Sequence, residues 1–140
     1  GREIAKRAPG AAVLVQVNLA GDPGRNGCTF DAAPALVDAL RTRGEDTAIL
    51  CAGFKGAFAL DDAYCAGRIV GALAADRSDA ALAAEFVAQA FPDAHAGLTA
   101  RTYGPPGLEE DIRFCARESV LDVVPSLHGL EAGAAAVVGL

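Results

Sequence analysis

The sequence predicts an α/β fold: a largely parallel sheet of about three or four strands covered by helices, forming one half or a fragment of a larger α/β/α fold. Three observations carry this. Compact β-branched runs alternate with longer Ala- and Leu-rich stretches of helical period, the order that yields parallel strands joined by helical crossovers. The 140 residues suit one domain with one ordinary core. Hydrophobic residues reach 52% while aromatics are 6%, so small and branched side chains dominate and helix can approach sheet closely.

Ala12 to Leu19 reads as a buried strand ended by the turn-forming Ala20-Gly21-Asp22-Pro23-Gly24. Asp31 is placed to cap a helix running to about Arg43, with Leu36, Val37 and Leu40 on one face and Gly44 as its stop. Pro34 falls in its first turn, where a missing N–H costs little. Thr47 to Cys51 is a second strand, and Ala52 to Gly56 the loop leaving its C-terminal end. A helix from about Asp61 to Ala75 turns Ile69, Val70 and Leu73 inward. Gly67 and Gly71 on it predict close packing of that helix on the sheet.

Ser78 caps a further helix over Asp79 to Phe91. Pro92 to Pro106 is irregular, with Thr102 to Gly107 a breaker. Leu108 to Ala116 forms a short helix whose Ile112 and Cys115 face inward. Val120 to Val124 is a third strand closed by Pro125. The tail from Ala132 to Leu140 is a final edge strand or a frayed end. We read residues 1–140 as a single α/β domain, with 1–44 a strand–loop–helix unit and 45–140 its larger part.

Charge and composition exclude several functions. A net charge of −6 offers no basic face for nucleic acid. No apolar run reaches the length of a bilayer span, and the charged start, Gly1 to Arg7, leads into no signal-type apolar core, so a cytoplasmic protein is expected. The four cysteines, Cys28, Cys51, Cys65 and Cys115, form no C-x-x-C pair, which argues for free thiols in a reducing compartment rather than zinc. The chain contains no Met, which fits processing or a piece of a longer protein. No Walker loop, G-x-S-x-G elbow or dinucleotide fingerprint is present.

Ligands of open α/β sheets bind beyond the carboxyl ends of the strands. Two polar, Gly-rich loops leave such ends: Asn18 to Asn26, with Asp22 and Arg25, and Gly53-Phe54-Lys55-Gly56, which leads to Asp61 and Asp62. Glycines let backbone N–H groups approach an anion, and Lys55 adds a point charge. Paired carboxylates at Asp61 and Asp62 suit a hard cation such as Mg²⁺. The same two residues suit plain capping of a helix start, and both readings stand at this point. Lys55 is also an ordinary solvated loop residue, and Cys51 an ordinary small core residue beside a nucleophilic or redox reading. His95 and His128 have no partner at ligand spacing and read as surface residues.

From about Asp46 to Leu127 the order of signals resembles the 2-phosphosulfolactate phosphatase family, in its C-terminal half. The likeness rests on Cys51-Ala52-Gly53, Gly56-Ala57-Phe58, Leu60-Asp61-Asp62 and Ala66-Gly67, then on Asp111 to Ala116 and Val123-Val124-Pro125. Asp61 stands where the family has Glu, keeping the carboxylate with a shorter reach. The resemblance implies Mg²⁺-dependent hydrolysis of a small phosphorylated, sulfonated acid, in coenzyme M biosynthesis or a related route. It implies Asp61 and Asp62 as metal-side or acid/base groups, with Lys55, Gly53 and Gly56 as phosphate-binding candidates. The family's D-x-R-A-T-T, G-N-S-P and T-T-N-G-T signatures do not occur in this chain, so the implied site is one to which this stretch contributes a part.

Residues 2–44 are similar instead to the pyridoxal-phosphate homeostasis proteins of the alanine-racemase-like barrel. That likeness rests on Val13 to Asn18 and on Gly21 to Gly27, with Arg25 where those proteins carry Lys. It implies pyridoxal phosphate as an alternative cofactor. A third expectation is a non-catalytic chimeric or truncated α/β domain. An exposed sheet edge would favour self-association, so a homo-oligomer supplying further strands is expected as a partner.

Overall fold

The structure is a computed structural model and describes residues 14–15, 37–38, 41–42, 46–73, 75–117, 125–131 and 134–139. Two short strands open it, β1 (Leu14–Val15) and β2 (Ala48–Ile49). They pair in parallel, Leu14 opposite Ala48 and Val15 opposite Ile49. Val37, Asp38, Arg41 and Thr42 are helical, inside the helix expected between them, and Val37 is buried as its place in the pattern requires. The loop from Asn18 to Asn26, with Asp22 and Arg25, lies outside the described residues.

Four helices follow among the described residues: α1 (Leu60–Ala72), α2 (Asp79–Gln89), α3 (Ala94–Thr99) and α4 (Glu109–Cys115). Helix α1 stops at Ala72 rather than Ala75, because Leu73 takes an extended conformation (φ −80°, ψ 124°). Its last turn has no cation of its own. Arg41 supplies one from another segment, donating to the Ala72 carbonyl at the negative end of the helix. Ser78 caps α2 as expected, its hydroxyl accepting the Ala81 N–H at 3.3 Å. Arg77 pairs with Glu85 at 2.6 Å and ties the connection back onto α2.

Helix α3 corrects the expectation of irregular chain between Pro92 and Pro106. Asp93 caps it by accepting the Ala96 N–H at 2.8 Å, so a short helix forms between the proline and the later breaker. The core sits where α1, α2 and α3 meet, around Tyr64, Cys65, Ala88, Ala94 and Leu98. Tyr64 is fully buried and meets the Phe91 ring edge-on, centroids 6.0 Å apart, while its hydroxyl accepts from Arg68 at 2.9 Å. Ile112 and Cys115 of α4 pack against this cluster, as their inward positions predict.

Gly67 does allow a close approach, but to α2 rather than to the sheet. A Cβ at Gly67 would lie 1.9 Å from the Ala84 carbonyl oxygen and 2.8 Å from the Ala88 Cβ. The small-residue stripe therefore marks a helix–helix seam, where α1 and α2 backbones nearly touch. Gly71 is not constrained in this way, since the nearest atom to its added Cβ is a Glu85 carboxylate oxygen at 3.4 Å.

The chain ends in an antiparallel pair, β3 (Pro125–Glu131) and β4 (Ala134–Gly139), with a register shift between Leu127 and Gly129. Pro125 is the first residue of β3, a position where its missing N–H is tolerated. The strand expected at 120–124 lies outside the described residues. No helix among the described residues is long and apolar enough to cross a membrane.

Candidate functional site

The loop leaving β2 is held in one shape by its glycines. Gly53 has φ +73°, and a Cβ there would meet the Ala57 carbonyl oxygen at 2.7 Å, so no side chain fits. Phe54 and Ala57 exchange two backbone hydrogen bonds, each 3.0 Å. Between them Lys55 (φ +51°) and Gly56 (φ +79°) both adopt positive φ, the mark of a type I′ turn. The turn places the exposed Lys55 at its tip, and the Lys55 ammonium lies 5.4 Å from the centroid of the Phe54 ring.

The chain then enters α1 through Ala59, which offers no side chain to cap it. Asp61 and Asp62 both stand in the first turn, near the positive end of the helix. Their carboxylates do different things. Asp62 Oδ2 accepts the Gly53 N–H at 2.7 Å and so binds the loop to the helix start. Asp61 is buried, and its Oδ1 accepts the Asp62 N–H at 3.0 Å, one of the first-turn donors that needs a partner.

Asp61 also meets two residues from a distant segment. The Tyr103 hydroxyl donates to Asp61 Oδ1, and Arg101 Nη1 stands 3.8 Å from Asp61 Oδ2. The Tyr103 ring in turn stacks on Phe54, with centroids 4.6 Å apart and planes 20° apart. The structure thus brings Gly53, Phe54, Lys55, Gly56, Asp61 and Asp62 together with Arg101 and Tyr103. The last two escape a reading of the sequence, because some forty residues separate them from Asp61 and no spacing rule joins the two stretches. The trace they leave is a cation and an aromatic two apart, ahead of the Gly-Pro-Pro-Gly breaker.

Burial, the hydrogen bond to Asp61 and the charges of Asp61 and Asp62 push the Tyr103 phenol well above its ordinary value, with Arg101 opposing. Tyr103 is therefore a fixed donor at neutral pH. Partial burial of its sulfur and then the Asp62 charge push the Cys51 thiol up, although the residue as a whole is exposed. That environment disfavours a thiolate, and the exposure of Cys51 corrects its reading as a core side chain. Cys65, buried one turn into α1, is raised further, chiefly by burial.

Among the described residues no three His, Cys, Asp or Glu side chains converge as a metal cage. Mg²⁺ asks for less, since one or two carboxylates plus waters commonly hold it. The half-buried Asp62, at the mouth of the loop, fits that requirement. His95 is exposed on α3, as expected of a surface residue. A cavity of about 480 Å³ lies on α4, lined by Glu110, Asp111, Arg113, Phe114 and Arg117, and shares no residue with this cluster.

A profile of the 2-phosphosulpholactate phosphatase family matches residues 27–129. The chain belongs to that family. A probable 2-phosphosulfolactate phosphatase of Thermus thermophilus is 38% identical over 106 residues, covering 70% of this chain and 44% of that protein. Proteins of the same description from Clostridium novyi (33% over 91 residues, 59% of this chain, 39% of that protein) and Thermotoga maritima (34% over 99 residues, 66% and 43%) are similar as well. The chain spans less than half the length of each of these relatives. The match begins at residue 27, earlier than the start near Asp46 that the motifs suggest, and so takes in part of the stretch likened to the pyridoxal-phosphate proteins.

Proposed function

We propose that this chain forms part of a Mg²⁺-dependent phosphatase that hydrolyses the phosphate monoester of a small sulfonated acid, of which 2-phosphosulfolactate is the leading candidate. Family membership supports the reaction class. The observation that carries the site is the Asp62–Gly53 hydrogen bond, which sets a carboxylate beside a Gly-rich turn bearing a cation. Membership of a larger α/β sheet, completed by further chain or by another subunit, belongs to the same proposal, and the parallel β1–β2 pair supports it.

In this reading Lys55 binds a phosphate oxygen, and the glycines at 53 and 56 let the backbone come close to it. Asp62 would hold Mg²⁺ together with water. Bound there, the ion would neutralise phosphate charge and favour in-line attack. Water adds to phosphorus as the ester P–O bond breaks, and the departing alkoxide takes a proton, giving the hydroxy acid and inorganic phosphate. The test is phosphate release from 2-phosphosulfolactate by the purified chain. Release abolished by EDTA and by Asp62→Asn is the expected result, and release indifferent to both overturns the site.

A further inference from the structure

We propose that Tyr103 is a positioning residue that locks the Lys55–Gly56 turn onto the start of α1, with Asp61 serving as its anchor and not as a metal ligand. The inference rests on the reading of that turn as the phosphate-binding element. Three contacts run in series. The Tyr103 hydroxyl donates to Asp61 Oδ1, its ring stacks on Phe54 at 4.6 Å, and Phe54 makes both backbone hydrogen bonds that close the turn. Lys55 follows Phe54 directly and holds its ammonium 5.4 Å from the same ring. Displacing Tyr103 therefore removes the floor on which the turn stands.

Asp61 is built for the anchoring task. Its side chain is 9% exposed, and its two oxygens face a phenol, a backbone N–H and a guanidinium. Charge-assisted hydrogen bonds of this kind are about twice as strong as neutral ones. A cation approaching Asp61 would have to displace these donors and stand beside the Arg101 charge at 3.8 Å. The metal role stays with Asp62, as proposed above.

Amide hydrogen exchange in the 140-residue chain tests the lock without requiring turnover. Tyr103→Ala, which removes both ring and hydroxyl, is expected to speed exchange of the Phe54 and Ala57 amides about tenfold while α2 amides stay unchanged. Tyr103→Phe keeps the stack and loses the anchor, so a smaller acceleration at the same two amides is expected. It also decides the matter should the alanine variant not fold. Unchanged exchange at Phe54 and Ala57, or equal acceleration throughout α2, overturns the proposal.

Titration with inorganic phosphate supplies a readout that a merely structural residue would not move. Tyr103→Ala and Lys55→Ala should each weaken binding, and the double variant should be no weaker than Lys55→Ala alone. Additive weakening overturns the link from Tyr103 to Lys55. A wild-type chain that binds no phosphate counts against the function proposed above, and exchange then decides on Tyr103. Titration with Mg²⁺ separates the carboxylates: binding lost in Asp62→Asn and kept in Asp61→Asn is expected, and loss in Asp61→Asn alone overturns the anchor assignment.

Discussion

The Gly53 amide donates to the Asp62 carboxylate at 2.7 Å, across nine residues of chain. The bond joins the loop after β2 to the first turn of α1, and Gly53 can make it only because it tolerates φ +73° and carries no Cβ. Gly53→Ala should destabilise the chain by about 1–3 kcal/mol, the usual range for combined backbone strain and overpacking. A lower urea midpoint at unchanged slope checks it. A wild-type midpoint would mean the loop relaxes freely around that position.

The α1–α2 seam makes a sharper contrast. Gly67→Ala drives a methyl into the Ala84 carbonyl and should cost about 1–3 kcal/mol or more. Gly71→Ala, one turn on, meets a movable Glu85 side chain at 3.4 Å. It should be neutral or stabilise by about 0.5–1 kcal/mol, since a helical glycine loses more conformational freedom on folding than alanine. Thermal or urea unfolding of the two variants side by side should place Gly67→Ala below wild type and Gly71→Ala at or above it.

These glycines also mark what the sequence makes legible. The period-four spacing of Gly67 and Gly71 signals a close approach, but a missing side chain does not identify its neighbour, and helix α2 takes the place expected for the sheet. Local chemistry reads well: Ser78 caps α2, and Ile112 and Cys115 face the core. Helix α3 hides behind Pro92 and the breaker after Thr102, although Asp93 is its cap. In the site, Lys55, Asp61 and Asp62 are close in sequence and could be grouped by eye. Arg101 and Tyr103 join them only through folding of α1 against the segment after α3.

Thiol chemistry reports on the same electrostatics. Cys51 is exposed yet its thiol is raised by partial burial and by Asp62, so alkylation near neutral pH should be slower than for a free cysteine. Asp62→Asn should accelerate it. Cys65 should stay unmodified until the chain unfolds. Peptide mapping after timed alkylation checks all three statements, and a Cys51 rate blind to Asp62 would remove that carboxylate from its surroundings.

Tyr103 makes stability depend on alkaline pH. Its folded pKa lies above the ordinary value of about 10, so the fold prefers the protonated phenol. The stabilisation is complete below about pH 10 and is lost as pH rises further, because the unfolded chain releases the proton first. Wild type should therefore exceed Tyr103→Phe in stability at pH 8, and the gap should narrow above pH 10. Urea unfolding of both proteins across that range, without added metal, checks the sign. A gap constant with pH would mean that the phenol is not held by Asp61.

Asp62 is proposed to work beside the Gly53–Gly56 turn in metal-assisted phosphate ester hydrolysis. The most direct measurement is phosphate release from 2-phosphosulfolactate with Mg²⁺, with EDTA, and in Asp62→Asn, on samples whose fold is verified by circular dichroism. Release that requires Mg²⁺ and falls by about two orders of magnitude or more in Asp62→Asn is the expected result. Release that persists in EDTA and in the folded Asp62→Asn variant would contradict it.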